Sequence, residues 1–238
     1  MLILAVESSA ALSSCALLKD GVIIADMRTN VKLTHSQTLM PMVENMLKIT
    51  NTDVGDIDVF AVSHGPGSFT GIRIGIAAVK GMALSYSKPC VGLSTLEVIA
   101  NNIPYFGGIV CSVMDARREQ VYNALFECKG DRLCRVTDDR AISIDALGQE
   151  IGNLNRPCIL VGDGAALCYN KLEQKYDNLF IAPANLRYQN AAAAAQLALD
   201  YYNRGQTVSA AELNPVYLRL PQAQRELLEK KSAGSANG

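Results

Sequence analysis

The sequence is poor in the residues that build metal centres and disulfide frameworks. It contains no tryptophan and only two histidines, His35 and His64, which stand in unrelated surroundings. A metal site built mainly from histidine would need both of them, so we predict no tightly held transition metal. The seven cysteines are scattered and form no C-x-x-C pair, which indicates reduced thiols that serve as small apolar residues in a cytoplasmic protein.

Strong net charge and long apolar runs are also lacking. The formal net charge of −1 provides no field that attracts a polyanion, so a nucleic-acid substrate would need another subunit for most of its binding. No hydrophobic run is long enough to cross a bilayer, and we predict no membrane contact. The apolar start, residues 1–6, follows no basic region and is interrupted by Glu7, so we interpret it as a buried strand and not as a signal peptide.

Common catalytic motifs are missing as well. There is no Gly-x-Ser-x-Gly nucleophile elbow, and nothing in the spacing provides a catalytic partner for Ser68, which argues against a serine hydrolase. The central glycine-rich stretch, Gly65-x-Gly67-x-x-x-Gly71, lacks the Gly-Lys-Ser/Thr of a Walker A loop. Its spacing also differs from the dinucleotide-binding fingerprint.

What the sequence does contain is a regular α/β pattern with ample apolar material, since 49% of its 238 residues are hydrophobic. The first half reads β-β-β-α-β-α-β-α, and a similar order of strands and helices restarts after residue 108. The predicted strands of the first half are residues 2–6, 13–18, 22–28, 59–63 and 89–93, and its helices are 35–49, 70–87 and 94–102. The predicted strands of the second half are residues 109–114, 120–128, 132–136, 158–161 and 179–181, and its helices are 145–151, 167–176 and 190–202.

The restart predicts a duplicated α/β unit. We place the first half at residues 1–103 and the second at 104–221, with the alanine-rich helix 190–202 packing back on the first half. Residues 222–238 are polar and are expected to form a disordered tail.

Two features are candidates for chemistry. Glu7 and Ser8 end the first strand, Asp115 ends the matching strand of the second half, and the carboxyl ends of strands are where open α/β sheets bind ligands. The glycine loop joins a strand to a helix N-terminus, a geometry that holds anions on free N–H groups. The structural alternatives stay open: a cap or solvated charge for the acids, and a tight turn for the loop.

Several motifs, taken in chain order to about residue 219, resemble the bacterial TsaB family, formerly called YeaZ. They are Leu4-Ala5-Val6-Glu7-Ser8-Ser9, His35-Ser36-x-x-Leu39-x-Pro41, Gly65-Pro66-Gly67-Ser68-Phe69-Thr70-Gly71-x-Arg73-Ile74-Gly75, Asp115-Ala116-Arg117 with Val121-Tyr122, and Pro215-x-Tyr217-Leu218-Arg219. The resemblance implies an actin/Hsp70/sugar-kinase-like fold with two ribonuclease-H-like halves, each a mixed sheet flanked by helices. It also implies a role in making threonylcarbamoyladenosine beside the anticodon of tRNA.

In that family the sister protein TsaD carries the catalytic metal on a His-x-x-x-His motif. The matching positions here are Thr95 and Ile99, and the sister's Ser-Gly-Gly-His loop has no counterpart near Asp115. The resemblance therefore implies a non-catalytic paralogue that needs no cofactor. Its implied partners are TsaD, the ATPase TsaE and, through the complex, tRNA, with weak ATP or ADP binding with Mg²⁺ in the complex and a homodimer when the chain is alone.

The resemblance places partner binding on the helices 35–49 and 70–87. The first is rich in methionine, which suits adaptable contacts but equally fills cores, and the second carries many small residues. The expected interface residues are His35, Leu39, Met42, Val43, Met46, Arg73, Ile74, Ala78 and Met82. The expected nucleotide or anion contacts are Glu7, Ser8, Gly65, Gly67, Ser68, Gly71 and Asp115.

Two other functions remain open from the sequence. A nucleotide-dependent phosphotransferase of the same fold would use Glu7, the glycine loop and Asp115. A peptidase is a third hypothesis, against which the missing His-x-x-x-His pair and nucleophile elbow argue.

Overall fold

Two β-sheets with the same strand order form the frame of the structure, a computed structural model that describes residues 1–31, 33–130 and 132–219. The strands of the first sheet are β1 (Leu2–Glu7), β2 (Ser13–Lys19), β3 (Val22–Thr29), β4 (Val59–Gly65) and β5 (Cys90–Ser94). The strands of the second are β6 (Ile109–Asp115), β7 (Gln120–Lys129), β8 (Arg132–Arg135), β9 (Arg140–Ser143), β10 (Cys158–Val161) and β11 (Leu179–Ile181).

The strand order reveals the duplication that the element pattern predicted. The first sheet is ordered β3-β2-β1-β4-β5, and the second is ordered β8-β7-β6-β10-β11 with β9 paired beside β7. In both sheets the first three strands are antiparallel, and the last two run parallel to the first strand. Two such halves give the actin/Hsp70/sugar-kinase-like fold, as expected from the sequence.

The helices are α1 (His35–Ile49), α2 (Phe69–Ser85), α3 (Thr95–Ala100), α4 (Ile144–Leu154), α5 (Ala165–Leu172), α6 (Ala184–Arg187) and α7 (Ala191–Asn203), with a 3₁₀ turn at Val54–Asp56. Helix α1 begins where the capping residues predict, since Thr34 and Gln37 form a capping box. Pro41 lies inside the helix and beyond its first turn. Strand β9 and α6 were not predicted because they are short and lack a clear period.

The core is built in layers, and the chain crosses between the halves to complete them. Helices α1 and α2 cover one face of the first sheet, while α4 and α5 cover the outer face of the second. Helix α7 returns to the other face of the first sheet, where Ala191, Ala194 and Ala198 lie against Ile3 and Ala5. Alanine lets this helix approach the sheet closely.

Helix α3 crosses in the opposite direction, from the first half to the second sheet. It follows the first sheet in sequence, yet Leu96, Ile99 and Ala100 pack against Val110 and Phe126 of the second sheet. Helices α3 and α7 also contact each other, so both lie between the two sheets. The predicted tail, residues 222–238, lies outside the described residues.

Candidate functional site

The glycine loop packs directly against the turn that follows β1. A Cβ built on Gly71 would lie 2.1 Å from the Ser8 carbonyl oxygen, and one on Gly67 would lie 2.4 Å from the Ser9 carbonyl oxygen. The φ angle of Gly67 is +156°, a conformation that side chains rarely adopt. These glycines are therefore required for the close approach of two backbone segments.

Two backbone N–H groups of the same loop already donate to acceptors within the chain. The Ser68 N–H donates to the Ser9 carbonyl oxygen at 2.6 Å, and the Ser68 hydroxyl caps α2 by accepting from the Gly71 N–H at 3.2 Å. A Cβ on Gly65 would lie 2.1 Å from the Val216 carbonyl oxygen. Because a phosphate cradle needs free N–H groups, this geometry favours the structural interpretation of the loop.

Glu7 and Ser8 lie beneath the loop and not on an open surface. Glu7 is fully buried, and its carboxylate accepts from the Ser9 N–H at 2.7 Å and from the Ser63 hydroxyl. Burial raises the pKa of Glu7 above its ordinary value. The Ser8 hydroxyl donates to the Gly71 carbonyl oxygen at 2.8 Å, so Ser8 fixes the loop against the end of the first strand.

A cavity of about 560 Å³ lies between the halves, beside the glycine loop. The first half lines it with Ser9, Ala10, Ala11, His35, Pro66, Gly67, Ser68 and Phe69. The second half and the C-terminal segment line it with Met114, Asp115, Ala116, Arg117, Tyr122, Asp163, Val216, Tyr217, Leu218 and Arg219. Of the predicted ligand contacts, Gly67, Ser68 and Asp115 lie on this wall, whereas Glu7, Ser8, Gly65 and Gly71 do not.

Asp163 is a cavity residue that the sequence analysis missed. It follows β10 in the turn Gly162–Gly164, in the same way that Asp115 ends β6, so the signal was an acid at a strand end between two glycines. Burial raises the pKa of Asp163 to about 6, and the charge of Asp115 acts in the same direction. Asp115 itself accepts from the Arg117 N–H at 2.7 Å.

The segment 216–219 forms one side of the cavity and joins the two halves. The Val216 N–H donates to the His64 carbonyl oxygen at 2.8 Å, and Arg219 donates to the Ala116 carbonyl oxygen at 2.8 Å. The Tyr217 ring stacks on Phe69 with their centroids 4.8 Å apart. We call residues 216–219 the strap.

Arg73 of α2 is tied to this strap. Its guanidinium carbon lies 3.8 Å from the centroid of the Phe69 ring, and its Nε donates to the Tyr217 hydroxyl at 2.8 Å. The side chain is therefore ordered at the surface by a cation–π contact and a hydrogen bond. His35, another predicted interface residue, lies on the cavity wall and donates from Nε2 to the Ala10 carbonyl oxygen at 2.6 Å.

The remaining predicted interface residues divide into two groups. Leu39, Val43 and Met46 are buried at 0–1% exposure in the core under the first sheet, so the structure removes their side chains from the predicted surface. Met82 is also buried. The residues that keep partial exposure are Met42, Ile74 and Ala78.

The open surface of these helices is formed by other residues, which were not among the expected interface residues. We define the α1–α2 surface by the exposed residues Met40, Pro41, Arg73, Ala77, Gly81 and Leu84. Leu84 is 70% exposed. A groove of about 630 Å³ borders this surface, between α1, the 3₁₀ turn and Met82.

The described ranges contain neither a cluster of metal-ligating side chains nor a helix suited to a membrane. No three His, Cys, Asp or Glu side chains in residues 1–31, 33–130 and 132–219 come together in a way that could hold a metal ion. Thr95 and Ile99, which match the metal-binding positions of the sister protein, are fully buried. None of the helices in the described part of the chain combines the length and the apolar character that a membrane span requires.

Comparison with known proteins agrees with this architecture. Residues 28–225 match the family model of TsaD, tRNA N6-adenosine threonylcarbamoyltransferase. The chain is 31% identical to the tRNA threonylcarbamoyladenosine biosynthesis protein TsaB of Bacillus subtilis, over 97% of this chain and all of that protein. The TsaB protein of Escherichia coli is 29% identical, with the same coverage of both chains.

A solved structure extends the likeness to three dimensions. It is a Pseudomonas aeruginosa protein described as similar to the peptidase YEAZ, which superposes with a TM-score of 0.79 over 92% of this chain and 99% of that chain, at 25% identity. The transferase of Thermosipho africanus is 28% identical but covers only 44% of this chain. Because full-length similarity is to the biosynthesis proteins, the chain belongs to the TsaB/YeaZ family of tRNA threonylcarbamoyladenosine biosynthesis proteins.

Proposed function

We propose that this chain is a non-catalytic subunit for the threonylcarbamoylation of the adenosine at position 37, next to the anticodon, in tRNA. In this proposal it binds and activates the catalytic transferase TsaD through the α1–α2 surface, and the ATPase TsaE joins as a third component. The tRNA is held by the complex, since the net charge of −1 gives this chain little attraction for a polyanion.

The observation that carries the proposal is Gly81. A glycine in the interior of a helix costs about 1 kcal/mol relative to alanine, so it normally has a packing reason. Gly71 and Gly75 have one, because a Cβ on either would meet Ser8 at 2.1 Å and 2.5 Å respectively. A Cβ on Gly81 would meet no atom of the described residues within 4 Å. Its small size fits the close approach of another molecule.

The surroundings of Gly81 suit a helix-on-helix contact. Ala77 precedes it by one turn on the exposed side of α2, and the strongly exposed Leu84 follows it. Exposed apolar groups next to small residues permit close packing and release water when a partner covers them. The homodimer expected for the isolated chain would use the same surface and would therefore be displaced by TsaD.

The experiment places a bulky charge at Gly81 and compares it with a charge elsewhere. Gly81→Arg should not lower the thermal midpoint of the chain, because the site is open and arginine favours the helix, and it should abolish co-elution with TsaD on a sizing column. The modification of tRNA by the mixture with TsaD and TsaE should fall in parallel. Leu167→Arg, at an exposed position of α5, is the matched control and should retain the complex. A Gly81→Arg variant that binds TsaD as well as wild type would refute the surface assignment.

The alternative of a nucleotide-dependent phosphotransferase has less support. Glu7 is buried away from the cavity, and the Ser68 N–H is bonded to the Ser9 carbonyl oxygen. Both would need to face a nucleotide in that mechanism. Weak binding of ATP or ADP with Mg²⁺ in the complex stays a prediction, which calorimetry of the complex with MgADP tests.

A further inference from the structure

The second-half wall of the cavity contains one carboxylate oxygen that the fold leaves without a partner. Asp163 Oδ1 is shielded from solvent and has no hydrogen-bond partner among the described residues. The turn that carries it is fixed: Gly162 has a φ of +117°, and a Cβ there would lie 2.0 Å from the Val113 carbonyl oxygen. The Gly164 N–H donates to that oxygen at 3.2 Å. Asp163 is therefore held in place by the backbone of β6.

The opposite wall has an unsatisfied group of its own. Ser9 lies on the cavity wall, is fully buried, and its hydroxyl has no partner in the part of the chain that the structure describes. Buried polar atoms are hydrogen-bonded in the great majority of cases, because an unpaired one costs free energy. Two such atoms on facing walls of one cavity indicate a polar ligand between them.

The charges of the cavity decide which ligand fits. Asp115 lies on the same wall as Asp163, and its side chain is 32% exposed. The arginines are placed differently: the Arg117 side chain is 87% exposed and lies 3.5 Å from the Asp115 carboxylate, and Arg219 is bound to the Ala116 carbonyl oxygen. Two carboxylates on the inner wall repel a phosphate and attract a cation.

We propose that the cavity between the halves binds a small organic molecule through a cationic ammonium or guanidinium group, which donates to Asp163 and to the Ser9 hydroxyl. The volume of about 560 Å³ lies in the range of small-molecule sites. Tyr122, Met114 and Leu218 supply apolar walls for the body of the ligand. This proposal is independent of the α1–α2 surface and of TsaD.

The test uses calorimetry of the full-length chain with agmatine, which carries both cationic groups and no carboxylate. Agmatine should bind saturably, and Asp163→Asn should weaken the binding by about tenfold or more, the effect of losing one buried charge-assisted hydrogen bond. Asp177→Asn removes the same charge from an exposed position outside the cavity and should bind agmatine as wild type does. Ser9→Ala, which removes a hydroxyl without a partner, should fold normally and also weaken the binding.

A second probe, L-arginine, adds a carboxylate to nearly the same molecule. Tighter binding of L-arginine would support the proposal and assign the carboxylate to the arginines at the cavity. Equal affinity for agmatine and L-arginine would also support the proposal, and would show that the chain recognises the cationic group alone. The proposal is overturned if agmatine and L-arginine both fail to saturate, if Asp163→Asn and Ser9→Ala both bind as wild type, or if MgADP is the probe that binds and Asp163→Asn leaves its affinity unchanged.

Discussion

The charge of Asp163 should cost the folded chain stability, and the cost can be worked out from its pKa. That pKa is about 6 in the folded chain against the ordinary 3.8. The folded chain therefore binds this proton more tightly than the unfolded chain does, so ionisation lowers stability above pH 6 and the cost disappears as the pH falls through 6 toward 4. This difference in pKa corresponds to a loss of stability of about 3 kcal/mol at pH 8.

Replacing Asp163 with asparagine removes the charge and keeps the size and shape of the side chain. We expect Asp163→Asn to raise the free energy of unfolding by about 3 kcal/mol at pH 8, by about half of that at pH 5 and by less than about 1 kcal/mol at pH 4. Urea unfolding followed by circular dichroism measures this difference.

The control is Asp177→Asn, which should stay within about 0.5 kcal/mol of wild type at every pH because the side chain is exposed. A gain for Asp163→Asn that is the same at pH 8 and pH 4 would show that packing, and not charge, causes it. A loss of stability at pH 8 would refute the reasoning, because it would mean that the ionised carboxylate is favourable in the folded chain.

Five further variants test other parts of the structure by denaturant unfolding. Gly71→Ala should lose about 2 kcal/mol or more, because its Cβ would meet a backbone oxygen at 2.1 Å, whereas Gly81→Ala should gain about 0.5–1 kcal/mol in open space; similar effects at both sites would contradict the packing. Tyr217→Phe should lose about 0.5 kcal/mol with the hydrogen bond from Arg73, and Tyr217→Ala about 1 kcal/mol more with the stacking. Burial raises the pKa of Glu7, so its ionised form destabilises the folded chain at pH 8 more than at pH 4. The stability of Glu7→Gln relative to wild type should therefore be higher at pH 8 than at pH 4, and a pH-independent difference would count against this.

The architecture was predictable because its signals are local and repeated. The alternation of strands and helices and the restart after residue 108 both appear in the structure as two sheets of one strand order. The resemblance also placed Leu39 and Val43 on the helix that was expected to bind partners. It could not show which body these side chains face, and they are buried on the chain's own sheet.

The candidate site was less predictable because it depends on contacts distant in sequence. Glu7 ends a central strand, as expected of a ligand-binding acid, yet Ser63 from another strand turns its carboxylate inward. The strap closes one side of the cavity from residues 216–219, far from every other wall residue in the chain. Asp163 was missed because an acid between two glycines after a short strand is a weak signal by itself, and only the fold brings it close to Asp115.

The exchange of α3 and α7 between the sheets has a consequence for synthesis. The face of the first sheet that contains Ile3, Ala5 and Val59 is covered by α7, which ends at Asn203. A nascent chain that has emerged only to the end of the first half therefore has five strands but no cover for that face. The first half therefore cannot complete its core on the ribosome until α7, near the end of the second half, has been synthesised.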